Sequence, residues 1–309
     1  EGTVHMSHKE HGAGGGGDAQ GEDLAQRILT LTQDGVTLPS EAEALGLAHL
    51  ASTLLEPMPT LVHVEIPEAA VLNVVGDLHG QFEELQSVLS ICGQPTPSKR
   101  LFVFNGDFVD RGAKSVEVLL SLLALLVAYP SCVYLNRGNH ETRAMNRAYG
   151  FEHEVLVKYS REVFESFQRV FELLPLATVV NSSVLILHGG LFAQEGVTLN
   201  DIAQIDRKRQ PSGGLMTDLL WSDPTPREGK YRSPRGAGVE FGPDVSARFC
   251  DENGLLCCIR SHQVVPRGYL WQAGGRCLTV FSAANYVGRA GNLGAVCHIH
   301  SRGGVIQEQ

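Results

Sequence analysis

The sequence predicts an α/β fold in which two β-sheets pack together and helices cover them. Short apolar runs at residues 71–75, 101–104 and 132–135 each end in a polar loop containing glycine, and a helical pattern follows each loop. This βαβαβ order predicts parallel strands joined by right-handed crossovers. The carboxyl-terminal third is rich in strand-like runs, which predicts the second sheet; these runs are 255–262, 268–271, 277–282 and 295–300.

The remaining segments predict one folded domain over residues 22–309. Residues 1–21 contain three histidines and a four-glycine run, which is typical of a tag or flexible linker. Residues 22–55 have helical periodicity, with Ser40 as the expected N-cap of a second helix. A long helical pattern covers residues 151–174, and two strands are expected on either side of residues 181–183.

Composition excludes several classes of function. The 309 residues carry 34 acidic and 25 basic side chains, a net charge of −9, which argues against non-specific nucleic-acid binding. The longest apolar run, residues 118–129, is far shorter than the ~20 residues of a membrane helix, and no signal peptide is visible. The seven cysteines are scattered, as buried thiols are in a reducing compartment. We expect a soluble protein of the cytoplasm, the nucleus or both.

The polar loops at the strand ends carry the residues of a candidate metal centre. The carboxyl ends of parallel strands meet at one edge of a sheet, so remote loops come together there. Gly-Asp at one strand end is usually only a turn, but this series supplies three oxygen donors and three imidazoles: Asp77, Asp107, Asn139, His79, His188 and His262. A set without thiolate favours Mn, Fe or Zn in a catalytic site. Six donors suit two divalent ions, which promote displacement at phosphorus.

The same loops resemble the signature motifs of the PPP family of protein serine/threonine phosphatases. The resemblance extends from about residue 65 to 299 and is closest to the protein phosphatase 5 type. The matching motifs are GDLHG (76–80), GDFVDRG (106–112), RGNHE (137–141), LHGGL (187–191), LLWSDP (219–224), FGPD (241–244), RSHQV (260–264) and FSAANY (281–286). It implies a metallophosphoesterase-like fold that hydrolyses phosphoserine and phosphothreonine monoesters with metal-activated water.

The resemblance also implies a role for each matching residue. One cation would be held by Asp77, His79 and Asp107, and the other by Asp107, Asn139, His188 and His262. His140 would be the general acid, oriented by Asp110; the alternative for Asp110 is a helix N-cap. Three further side chains would hold the phosphate group, namely Arg111, Arg235 and Tyr286.

Departures from the family pattern and two other functions remain open at this point. Ala284 stands where the family usually has proline, and Val287 where several members have cysteine, so the loop before Tyr286 is expected to be less rigid. A dinucleoside polyphosphate hydrolase uses similar motifs, and a non-catalytic phosphoprotein-binding scaffold could keep the fold. The expected partners are phosphoprotein substrates and a regulatory domain or subunit outside this chain. His298 and His300 are expected on an edge strand.

Overall fold

The computed structural model describes residues 17–301 and 306–308, in which two large β-sheets lie between layers of helices. The helices are α1 Gly17–Leu31, α2 Glu41–Leu55, α3 Phe82–Cys92, α4 Ser115–Ala128, α5 Arg143–Tyr149, α6 Phe151–Lys158, α7 Arg161–Leu173, α8 Leu199–Ala203, α9 Gly214–Trp221 and α10 Pro243–Glu252. The strands are β1 Leu61–Val64, β2 Val71–Val75, β3 Arg100–Phe104, β4 Val133–Leu135, β5 Ala177–Val180, β6 Val184–Leu187, β7 Asp223–Pro224, β8 Lys230–Arg232, β9 Val239–Phe241, β10 Cys257–Arg260, β11 Tyr269–Trp271, β12 Cys277–Val280, β13 Val296–His300 and β14 Ile306–Glu308.

The strand order confirms the predicted βαβαβ unit. One sheet has the order β14-β13-β2-β3-β4, in which β2, β3 and β4 are parallel and α3 and α4 form the crossovers. The other sheet has the order β1-β5-β6-β10-β12-β11, with β6, β10 and β12 parallel. A third, small sheet of β7, β9 and β8 was not predicted, because its strands have only two or three residues each.

Alternating side chains of the strands build the cores on the two faces of each sheet. In β3, Leu101 and Val103 point into the core between the sheets, where they join Ile186 of the six-stranded sheet. Phe102 and Phe104 point the other way, into the core beneath the helices. This period of two buries apolar area on both faces, at about 1.5–3 kcal/mol for each fully buried large side chain. It holds the two sheets face to face.

Serine caps determine where two of the helices begin. Ser40 caps α2 as predicted, since its side chain accepts from the main-chain N–H of Glu43 and Glu43 binds back to Ser40. Ser160 caps α7 in the same way through the N–H of Val163. The prediction of one long helix over residues 151–174 is therefore wrong. The chain leaves helical geometry at Tyr159, and α6 and α7 are separate helices.

Two further expectations differ from the structure. Helix α1 begins at Gly17, so residues 17–21 are helical rather than linker; the rest of the predicted linker, residues 1–16, lies outside the described residues. His298 is not on an edge strand, because β13 lies between β14 and β2. Its Nδ1 lies 2.7 Å from Oδ1 of Asn73 on β2, which accounts for this polar side chain inside the sheet.

Two further properties of the described residues concern the length of their apolar helices and the state of their cysteines. Among them, no helix is both long and apolar enough to span a lipid bilayer. Six of the cysteines have free thiols, and most of these are buried, as the scattered spacing predicted: Cys92, Cys132, Cys250, Cys257, Cys258 and Cys277. Such thiols persist where the surroundings are reducing.

Candidate functional site

The fold brings the predicted loops together where the carboxyl ends of both sets of parallel strands meet. Asp77 and His79 follow β2, Asp107 follows β3, and Asn139 follows β4 in one sheet; His188 follows β6 and His262 follows β10 in the other. Hydrogen bonds join the loops both between the two sheets and within one of them. The main-chain N–H of His262 donates to Asp77 Oδ1 at 2.9 Å, and that of His140 to Asp107 Oδ1 at 2.9 Å.

Asp107 lies between two groups of potential ligand atoms. One of its oxygens, Oδ2, is 3.5 Å from His79 Nε2, which is in turn 3.6 Å from Asp77 Oδ2. The other oxygen, Oδ1, is 3.3 Å from His188 Nε2. His188 Nε2 is also 3.0 Å from the amide oxygen of Asn139 and 3.3 Å from His262 Nδ1. A single carboxylate is therefore shared by both groups, as a bridging ligand would be.

Main-chain carbonyls orient two of the imidazoles. His79 Nδ1 is 3.0 Å from the carbonyl oxygen of Val109, and His188 Nδ1 is 2.8 Å from that of Asn105. Because a carbonyl oxygen only accepts, each Nδ1 carries a hydrogen, and Nε2 is the atom that faces the cluster and can give its lone pair to a cation. This is the usual arrangement of a metal-ligating histidine.

The donor set fits divalent cations. The amide oxygen of Asn139 faces acceptors only, at 3.2 and 3.3 Å from the Asp107 carboxylate and 2.8 Å from His262 Nδ1. Buried Asp77 Oδ2 has no hydrogen-bond partner. Exchanging the oxygen and nitrogen of the Asn139 amide would give Asn139 hydrogen bonds but leave Asp77 Oδ2 without a partner. Bound cations would explain the positions of both oxygen atoms. Ligands at right angles around an ion with bonds of about 2.1 Å lie about 3 Å apart, close to these spacings.

Charges inside the buried cluster shift the pKa values of its members strongly. Burial lowers the pKa of His79, but the negative charges of Asp77 and Asp107 outweigh it and raise the pKa to about 9. Burial also opposes ionisation of Asp107, yet His188 and His140 hold its pKa well below the usual value. Burial and the charge of His188 lower the pKa of His262. The carboxylates thus favour positive charge at His79 but not at His262, and a bound cation would displace the proton of His79.

His140 and Asp110 form a buried pair beside this cluster. His140 Nδ1 is 2.7 Å from Asp110 Oδ2, and the His140 ring stands edge-on to His79 with 4.7 Å between centroids. The alternative role of Asp110, an N-cap of the following helix, is not seen at α4, which begins after Lys114. Instead, Asp110 Oδ1 accepts from the main-chain N–H of Phe151, the first residue of α6, at 2.9 Å.

The three side chains predicted to hold phosphate surround the cluster. Arg111, Tyr286 and His79 line one cavity of about 460 Å³. The guanidinium of Arg111 lies 3.7 Å above the ring centre of Tyr149. On the other side of the cluster, Arg235 Nη2 donates to the carbonyl oxygen of His262 at 3.3 Å. All eleven predicted site residues are therefore placed in or around one site.

Several residues of the site have a strained backbone conformation. The φ angle is positive, in the left-handed region, at His79 (46°), Asp107 (54°), Asp110 (70°), Arg111 (73°) and His262 (69°). Such conformations cost of order 1–3 kcal/mol each in a non-glycine residue and persist where the surroundings enforce them. Gly106 shows how closely the loops approach, because a Cβ there would lie 2.5 Å from the nitrogen of Gly138.

Sequence reasoning missed three residues that support the site. The carboxylate of Glu141 is buried against the loops of Asp107 and Gly138. Asp223 pairs with Arg235 Nε at 2.5 Å and with buried Arg260 at 2.9 Å. The third is Tyr149, beneath Arg111. Glu141 lies within the motif RGNHE and Asp223 within the motif LLWSDP. The available signal was therefore an acidic residue inside a motif that matches the family.

A fold of two sheets with a shared-carboxylate donor cluster at their strand ends defines a class of metallophosphoesterases. The chain belongs to the calcineurin-like phosphoesterase family, whose model matches residues 71–266. The resemblance to protein serine/threonine phosphatases is confirmed by individual relatives. The chain is 47% identical over 281 residues to serine/threonine-protein phosphatase T of Schizosaccharomyces pombe, which covers 90% of this chain and 58% of that protein.

Other relatives extend the comparison. Human serine/threonine-protein phosphatase 5 is 49% identical over 257 residues, which cover 83% of this chain and 51% of that protein. The chain thus spans a little over half the length of these curated relatives. A solved Saccharomyces cerevisiae protein serine/threonine phosphatase, described as similar to human phosphatase PP5, superposes with a TM-score of 0.87 and 39% identity, covering 93% of this chain and 90% of that one.

Proposed function

We propose that this chain hydrolyses phosphoserine and phosphothreonine monoesters in proteins. One observation carries the proposal: Asp107 lies between two groups of potential cation ligands, and the His140–Asp110 pair stands beside one of them. The names of the relatives at 47% and 49% identity support the substrate class.

Two divalent cations are proposed at the cluster. Asp77, His79 and Asp107 would hold one, and the second set would consist of Asp107, Asn139, His188 and His262. Nitrogen and oxygen donors without thiolate suit Mn, Fe or Zn. When bound, such a pair supplies a water of lowered pKa and neutralises phosphoryl oxygens.

His140 is proposed as the general acid. A serine or threonine alkoxide is a poor leaving group at neutral pH, so its oxygen needs a proton as the ester bond breaks. The hydrogen bond of Nδ1 with Asp110 directs the other ring nitrogen, Nε2, away from Asp110 and makes it the proton donor.

Arg111, Arg235 and Tyr286 are proposed to bind the phosphoryl oxygens. A guanidinium presents two parallel N–H groups to two oxygens at once, which fixes the orientation of the group as well as its charge. Stacking on Tyr149 and pairing with Asp223 restrict the two arginines before substrate arrives. This pre-organisation lowers the entropy lost on binding.

The alternatives predict different partners. Dinucleoside polyphosphate hydrolysis is not favoured, because the relatives aligned over 83–90% of the chain are named as serine/threonine-protein phosphatases. A non-catalytic scaffold would have no use for the buried donor cluster. We further propose phosphoproteins as substrates, a regulatory domain or subunit outside these residues, and a location in the cytoplasm, the nucleus or both, which the free thiols support.

The test combines metal analysis with a paired substrate assay. Purified protein is expected to contain two divalent ions per chain and to release phosphate from a phosphoserine peptide, with loss of both after chelation and recovery with Mn²⁺. Diadenosine tetraphosphate serves as the competing substrate. Faster hydrolysis of the dinucleotide would show that the chain is a dinucleoside polyphosphate hydrolase. Bound metal without turnover of either substrate would show that it is a non-catalytic phosphoprotein-binding scaffold.

A further inference from the structure

A buried asparagine stands behind the His140–Asp110 pair. Asn146 lies on α5 and is fully buried. Its Nδ2 donates to Asp110 Oδ2 at 3.1 Å and to the main-chain carbonyl oxygen of His140 at 2.7 Å. One amide nitrogen therefore contacts both members of the pair and uses both of its hydrogens.

The chemistry of the acceptors determines which way the Asn146 amide points. The Asp110 carboxylate and the His140 carbonyl oxygen can only accept, so the atom that faces them must be the NH₂ group. The amide oxygen of Asn146 then points to the opposite side, where Gln168 Nε2 on α7 donates to it at 2.7 Å. The reversed amide would place its oxygen against two acceptors inside the core.

Only the nitrogen end of the Gln168 side-chain amide has a hydrogen-bond partner. Gln168 is 1% exposed, and its Oε1 is buried without a hydrogen-bond partner. A buried amide oxygen without a hydrogen-bond partner destabilises the fold, so another contact of the same side chain must account for its position. The bond from its Nε2 to Asn146 is that contact, since it holds Asn146 in the orientation that donates to Asp110.

We infer that Asn146, oriented by Gln168, is a positioning residue for proton donation by His140. This inference rests on the proposed function. The hydrogen-bonded series Gln168–Asn146–Asp110–His140 reaches from α7 to the ring nitrogen of the acid through residues that are at most 6% exposed. Asn146 occupies a lone pair of Asp110 Oδ2 and anchors the main chain of His140, so it sets the angle at which the imidazole meets a leaving oxygen.

A positioning role of this kind should depend on the leaving group. A serine alkoxide must receive a proton as it departs, whereas p-nitrophenolate leaves as a stable anion and needs none. Damage to this hydrogen-bonded series should therefore slow hydrolysis of a phosphoserine peptide and spare p-nitrophenyl phosphate. General loss of structure would slow both substrates equally.

The experiment measures kcat for both substrates with the metal-loaded protein and its variants. Asn146→Ala is expected to reduce kcat for the peptide by about 10–100-fold, because part of the general-acid contribution to the rate is lost. For p-nitrophenyl phosphate, kcat should fall by less than about threefold. Gln168→Met, which touches neither His140 nor Asp110, should show the same preference with a smaller loss. Glu165→Gln is the matched control, because it breaks the exposed Arg143–Glu165 pair that also joins α5 to α7; both rates should stay unchanged.

A double-mutant cycle tests the route through His140. In a His140→Asn background, adding Asn146→Ala is expected to cause no further loss with the peptide, because residues acting as a unit are non-additive. Equal losses on both substrates for Asn146→Ala and Gln168→Met, or full additivity with His140→Asn, would overturn the inference. Failure of the unmutated protein to hydrolyse the peptide would instead overturn the proposed function.

Discussion

The carboxylate of Glu141 accepts a 2.7 Å hydrogen bond from the main-chain N–H of Asp107. The same oxygen accepts from Gly138 N at 2.9 Å, and the second oxygen accepts from Phe108 N at 2.9 Å. Arg137 donates to the carbonyl oxygen of Glu141, not to its carboxylate. Burial and the charge of Asp107 raise the pKa of Glu141 to about 7, while the charge of His188 and the main-chain N–H groups act in the opposite direction and favour the carboxylate. One buried acid joins the loop of the shared ligand to the loop of Asn139.

Glu141→Gln is therefore expected to weaken metal binding. The new NH₂ group would face main-chain N–H donors, release one loop, and shift Asp107. Loss of such an outer-shell contact typically lowers metal affinity about 10–100-fold. Titration calorimetry of Mn²⁺ binding to the metal-free protein measures the effect. Glu154→Gln is the control, because Glu154 also accepts two main-chain N–H bonds, at the start of α4; unchanged affinity in Glu141→Gln together with a loss in the control would contradict the prediction.

The shared position of Asp107 predicts unequal metal loss from two single variants. Asp107→Asn removes charge from both donor groups, whereas His262→Asn alters only the group that contains His188 and Asn139. We expect elemental analysis to find about two metal ions per chain in the unmutated protein, about one in His262→Asn and fewer in Asp107→Asn. Retention of two ions in Asp107→Asn would exclude a bridging role for this carboxylate.

His140→Asn is expected to separate catalysis from metal binding. Asp110 keeps its hydrogen bonds from Asn146 and Phe151 in this variant, so the site should stay folded. The proton for the leaving oxygen is lost, and kcat on a phosphoserine peptide should fall by about two or more decades. Elemental analysis should still find both ions. Full activity would remove His140 from the mechanism.

Arg235→Lys is expected to raise KM for the phosphopeptide. Lysine keeps the charge but cannot pair with Asp223 and present a fork to two phosphoryl oxygens together, and losing one charge-assisted bond raises KM about 10-fold or more. Steady-state kinetics measures this change. Arg232→Lys, on the exposed strand β8, is the control and should leave KM unchanged. If both variants kept the KM of the unmutated protein, Arg235 would have no role in binding the substrate.

Local sequence determined the elements and the chemistry of the donors. Apolar runs ending in glycine-containing loops specify strand, turn and helix within a dozen residues, because side-chain period and turn propensity are local properties. The order of the parallel strands follows from the same pattern, since crossovers are right-handed. This local information predicted β2, β3, β4, α3 and α4, together with six residues now found in one cluster.

Only the tertiary structure decided which atoms face each other. Asn105 and His188 are 83 positions apart, yet the carbonyl oxygen of one sets which nitrogen of the other faces the cluster. The contacts of Asp107 with both groups, the role of Glu141 and the third sheet depend likewise on packing between distant segments. Burial makes such choices strict, because a polar atom removed from water must find a partner in the fold. The sequence alone predicted which side chains form the donor cluster. The packing of the two sheets determined which of their atoms are in contact.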